Sequence, residues 1–114
     1  MLNDLDDVGF TIHANAVAKG FYDPIDRMDE QDVLIFELKQ LAMLHSEVTE
    51  VLEALRKNKG PDVVADEMAD IFIRLVDLYS FLRRRGEVDK PLSEAVKAKT
   101  KINTERPRLH GVRA

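Results

Sequence analysis

The chain contains no cysteine, which excludes disulfides, zinc–thiolate sites and thiol nucleophiles and permits a reducing compartment. No apolar run approaches the roughly 20 residues that a membrane span needs. The first residues, Met1 to Asp7, are acidic and lack the basic region and apolar block of a secretory leader, so a cytoplasmic protein is expected. No segment alternates apolar and polar residues as a half-buried strand would. Internal repeats and low-complexity stretches are also missing. Neither a membrane nor nucleic acid is expected as a partner; Arg83-Arg84-Arg85 suits the last turn of a helix, where cations offset the helix dipole.

What is present is helical. At 114 residues, 45% hydrophobic and 33% charged, the chain is one domain with enough apolar surface for a core. The net charge of −4 hides an asymmetry, because residues 97–114 hold six basic residues and one acid while residues 1–96 hold eleven and twenty. Such an acidic body with a basic end can bind an anion through a metal and through direct contacts together.

A first helix is predicted over Leu5–Lys19, stopped at Gly20, followed by the aromatic turn Phe21-Tyr22-Asp23-Pro24 and an acidic loop over 23–32. A long helix, Asp32 to Lys57, carries Leu34, Leu38, Leu41, His45, Val48, Leu52 and Leu55 at steps of three and four, a seam of bundle type. A break at Lys57-Asn58-Lys59-Gly60-Pro61 lets a third helix, Asp62 to Arg85, fold back antiparallel. A fourth, Leu92 to Glu105, opens after Pro91 and stops before Pro107. The expected fold class is all-α, a four-helix bundle of antiparallel helices, in three stretches: residues 1–31, the motif-bearing helices over 32–106, and a basic tail over 107–114. Helices two and three are apolar on most of their girth, so the chain is expected to form a homodimer or homotetramer through them.

Glu47-x-x-Glu50 and Glu67-x-x-Asp70 each set two acids on one helix face. Such steps are commonplace on solvated helices. These two, however, share arcs with Phe36, Met43 and Ala54 in one helix and with Val63, Ile71, Leu78 and Phe81 in the next. Unpaired carboxylates there would cost several kcal/mol each, and Arg74 is the sole base on the second stripe. Oxygen-only donors favour a hard cation such as Mg²⁺, with Mn²⁺ as substitute. Four acids exceed what one ion uses, so two or more ions bridging a polyphosphate fit.

Together these residues resemble the MazG-like superfamily of all-α nucleoside triphosphate pyrophosphohydrolases. Leu44-His45-Ser46-Glu47-Val48-Thr49-Glu50 is similar to the family's first motif helix, and the run from Glu67 to Asp77 is similar to the second. The segment from Lys99 to Pro107, with His110-Gly111, resembles the tail of the small single-domain members, and Ala18-Lys19-Gly20-Phe21 adds a further likeness. The resemblance implies cleavage of a nucleoside triphosphate between its α and β phosphates, as in clearing unwanted nucleotides from the pool. It implies that Glu47, Glu50, Glu67 and Asp70 ligate the metal, that Glu47 or Glu50 orients or deprotonates the attacking water, and that Lys99, Asn103 and Arg106 hold the phosphates. Asp77 is expected to support the ligands, to serve as an extra ligand, or to pair with Arg74. His45 is expected in the core or an interface, or else beside the site with Arg74 as a supporting residue or base, and Phe21 and Tyr22 either in the core or stacked on a base.

Three other readings compete. One is a non-catalytic helical adaptor, and another a relative directed to phosphoribosyl-ATP or to dCTP/dUTP. A carboxylate-bridged di-iron site is disfavoured, because neither acidic pair has a histidine three residues on.

Overall fold

The computed structural model describes residues 4–108. It consists of α1 (Asp4–Ala18), a 3₁₀ turn (Asp23–Arg27), α2 (Glu30–Arg56), α3 (Pro61–Arg84) and α4 (Leu92–Glu105), with no strand among the described residues. The expected tail over 107–114 lies outside the described residues from position 109 on, His110 and Gly111 included. Part of the stretch expected as a loop over 23–32 is helical: Pro24 sits in the first turn of the 3₁₀ segment.

Local chemistry sets the boundaries. Asp29 caps α2, its carboxylate accepting from the Asp32 amide at 2.8 Å, and Glu30 and Asp32 oppose the helix dipole in the first turn. At the other end Asn58 adopts the left-handed region (φ 50°). The Lys59 amide then bonds the Ala54 carbonyl at 3.0 Å and the Asn58 amide the Leu55 carbonyl at 3.1 Å, a closure that ends a helix cleanly. Gly60, at φ 104°, completes the reversal in a conformation open to glycine, and Pro61 begins α3 with a φ already suited to a helix.

The resulting hairpin makes α3 the central element, packed against α2 on one side and α1 on the other. Both neighbours run antiparallel to it. Glu37 meets Arg85 and Glu47 meets Arg74 along α2, while Gly9 lies against Val76 and Ser80, and His13 against Asp77, along α1. Gly9 permits that approach, since a Cβ there would fall 3.0 Å from a Val76 methyl. The core centres on Tyr22, Val33 and Phe81, with Ala16, Ile25, Met28 and Phe36 packed around them. The Tyr22 and Phe81 rings stack at 4.8 Å, and Arg84 lies over both.

One expectation is corrected. The leucine-rich stripe of α2 is not the seam against α3: Leu34, Leu38, Leu41, Val48, Leu52 and Leu55 are all exposed, and so is His45. The face turned inward instead carries Val33, Phe36, Glu37, Glu47 and Ala54. Periodicity marks apolar stripes on a helix without saying which one its own chain covers.

Candidate metal centre

Glu47 on α2 and Glu67 and Asp70 on α3 bring one carboxylate oxygen each to within 4.8 Å of one another. Antiparallel packing of the hairpin causes this, because it sets the middle of α2 beside the first half of α3. All three are partly buried. Glu67 shows the strain: partial burial, then the charge of Glu50, then those of Asp70, Asp66 and Glu47, push its carboxyl above the ordinary range. Crowded carboxylates of this kind repel until positive charge is supplied. Part of it comes from Arg74, whose Nε donates to Glu47 Oε1 at 2.8 Å.

The donor set fits a hard divalent cation. Three carboxylates from two rigid helices, with no sulfur or imidazole among them, suit Mg²⁺ or Mn²⁺. Glu50 is exposed and stands outside this trio, although its charge reaches Glu67.

Beside the trio opens a cavity of about 440 Å³, lined by Glu47, Asp70, Arg74 and Asp77 on one wall. Ile12, Asn15, Ala16, Phe21, Phe36 and Gln40 are among its other lining residues. Phe21 is 70% exposed, whereas Tyr22 is 6% exposed and belongs to the core.

Asp77 is not paired with Arg74, as the sequence allowed. Its Oδ1 lies 2.7 Å from His13 Nδ1 and its Oδ2 accepts from the Tyr22 hydroxyl at 2.6 Å. The Tyr22 phenol is held strongly towards its neutral form, first by burial and then by this bond. His13 was missed because nothing local marks it: its partner lies 64 positions away. The Phe21-Tyr22 pair offered the one hint of an aromatic element near the site.

Lys99 and Asn103 on α4 and Arg106 just past its end are exposed. Lys99 lines a separate groove with Tyr79, Ile102 and the Gly86–Lys90 turn, past the C-terminal end of α3. None of the three clustered acids lines this groove.

The sequence matches the family model of the MazG nucleotide pyrophosphohydrolase domain over residues 37–110. The chain belongs to that family. The match contains every carboxylate of the trio, and it accounts for a divalent-metal site in an all-α fold. MazG domains hydrolyse nucleotides at the pyrophosphate linkage, and that activity class applies to this chain. No curated protein and no solved structure matches it. Among the described residues no helix is long and apolar enough to cross a membrane.

Proposed function

We propose that the protein is a Mg²⁺-dependent pyrophosphohydrolase that splits a nucleoside triphosphate between its α and β phosphates, giving monophosphate and pyrophosphate. The observation that carries this reading is the convergence of Glu47, Glu67 and Asp70, two of which, Glu47 and Asp70, also line a cavity of about 440 Å³, space for a nucleoside next to a grip for its phosphates.

Glu47, Glu67 and Asp70 would hold the metal, with Glu50 at the edge of the group. Bound there, divalent ions supply the positive charge that neutralises the triphosphate's oxygens. Glu50 orients the attacking water and takes its proton. The water oxygen bonds to the α phosphorus, the bridge to the β phosphate breaks, and pyrophosphate leaves with the bridging oxygen. Asp77, with both oxygens engaged by His13 and Tyr22, braces the cavity wall and is not a ligand. Phe21 stacks on the base, and the amides of Asn15 and Gln40 are in place to read its edge.

The protein works as a homodimer or homotetramer. The exposed leucine stripe of α2, together with Met68, Phe72 and Leu75 on α3, forms the contact between copies, and Lys99, Asn103 and Arg106 serve the phosphates in a neighbouring copy's site. Clearing unwanted nucleotides in the cytoplasm is the role that fits such an enzyme.

The deciding experiment is a panel of standard and modified (d)NTPs with Mg²⁺ or Mn²⁺, scored for pyrophosphate against orthophosphate. Pyrophosphate with matching monophosphate is expected. Orthophosphate alone would overturn α–β cleavage, and no metal-dependent release from any nucleotide would leave the adaptor reading in its place.

A further inference from the structure

We infer that Arg74 is an internal counter-ion: it neutralises the acidic trio before metal binds and passes to the nucleotide's phosphates when metal takes Glu47. The inference rests on the metal-site reading above and goes beyond it, because it assigns a moving partner and a coupling between two ligands.

The geometry leaves Arg74 little choice. Its Nε holds Glu47 Oε1 at 2.8 Å, and Glu47 is one of the three clustered donors. A divalent ion drawn to that carboxylate therefore competes with the guanidinium. Two other acids lie within about one turn of Arg74 on its own helix face. Asp70 belongs to the same trio and is claimed by the same ion. Asp77 has both oxygens committed, to His13 Nδ1 and to the Tyr22 hydroxyl, in a part-buried cluster that would have to be broken to free one.

The side chain of Arg74 is 37% exposed and lines the cavity shared with Glu47, Asp70 and Asp77. A displaced guanidinium thus meets the cavity, where the acceptor that suits its planar fork is a phosphate. Metal alone drives one cation against another. Metal with a polyphosphate gives both cations an anion between them. Each ligand then favours the other, a coupling that is reciprocal by necessity.

The test compares wild type with Arg74→Gln and Arg74→Lys in calorimetric titrations, first with Mn²⁺ alone and then with a non-hydrolysable α,β-imido nucleoside triphosphate at saturating Mn²⁺. Loss of a charge-assisted bond is worth about tenfold in binding. Arg74→Gln is expected to bind Mn²⁺ alone several-fold more tightly and the analogue about tenfold more weakly. These opposite signs are what a merely structural arginine would not produce, since it would weaken both. Arg74→Lys keeps the charge without the fork, so it should bind Mn²⁺ nearly as wild type and the analogue with intermediate affinity; it carries the test if the glutamine variant loses its helical circular dichroism. Unchanged or weaker Mn²⁺ binding in Arg74→Gln, or unchanged analogue binding, overturns the inference while leaving the metal site standing. Failure of wild type to bind Mn²⁺ at all overturns both.

Discussion

Asp6 in the first turn of α1 caps α4 from the far end of the chain: its carboxylate accepts from the Ser93 amide at 2.9 Å and from the Ser93 hydroxyl. Pro91, at the N-cap position of α4, offers no side-chain cap of its own, so a residue 87 positions away satisfies the helix start. The Ser93 hydroxyl, then its amide, hold the Asp6 carboxyl below its ordinary range.

A carboxyl depressed in the folded state stabilises above its ordinary pKa, and that stability is lost as pH falls through the depressed value. Asp6→Ala is therefore expected to lower the melting temperature at neutral pH and to speed amide exchange in the first turn of α4. The difference from wild type should shrink and then vanish as acid protonates Asp6 in the folded state as well. An unchanged exchange rate around Ser93 would show that the cap is idle.

Glu37 behaves in the opposite sense. It is 5% exposed, its Oε2 lacks a hydrogen-bond partner, and Arg85 Nε stands 3.9 Å away. Burial, then the hydrogen bond and charge of Glu87, push its carboxyl up to about 6. A carboxyl raised in the folded state favours folding below its unfolded value, near 4.5, and that contribution is lost as pH rises through about 6. Glu37→Gln should therefore stabilise the fold by about 1–2 kcal/mol at pH 7.5 and by almost nothing at pH 4, as read by urea melts at the two values. Equal effects at both would contradict the assignment.

Glu50 and Glu67 are expected to separate chemistry from metal binding. Glu50→Gln should reduce turnover by about 10²-fold or more while Mn²⁺ still binds, because Glu50 stands outside the trio. Glu67→Gln should lose turnover and most of the Mn²⁺ affinity together. Both variants should keep their helical circular dichroism, and a fully active Glu50→Gln would end that residue's proposed role.

The α2 stripe can be tested without disturbing the chain's own core. Leu38 and Leu52 are 55% and 59% exposed, so the double change Leu38→Glu, Leu52→Glu should leave the protomer folded. Light scattering on a sizing column should move from a multiple of the protomer's 13.0 kDa to that mass itself. A wild-type protein that already elutes as a protomer would refute the assembly.

Four helices, their order and nearly all their ends were legible, because Gly20, Asn58, Gly60, Pro61, Pro91 and Pro107 punctuate the chain by local rules that act within a few residues; the Asp29 cap of α2 was not read, and that helix begins two residues before its expected start. The two acidic steps were legible for the same reason, since three-residue spacing settles which side chains share a face. What escaped was everything decided across the fold. Asp77 has an arginine three positions before it, yet His13 and Tyr22 from the first quarter of the chain claim it. The leucines of α2 form the more regular stripe, yet the chain turns Glu37 and Glu47 towards α3. The 3₁₀ turn was hidden too, being too short to carry a period.

The placement of α1 divides the molecule's labour along its length. Residues 37–110 form the family match and hold all three clustered acids, whereas Ile12, Asn15, Ala16 and Phe21 come from ahead of it and wall the adjoining space. On the proposed function, changes at Ile12, Asn15 and Phe21 are expected to alter which guest is admitted while sparing the acid grip, whereas Asp6, Gly9, His13 and Tyr22 of the same stretch are tied to α4, α3 and the core.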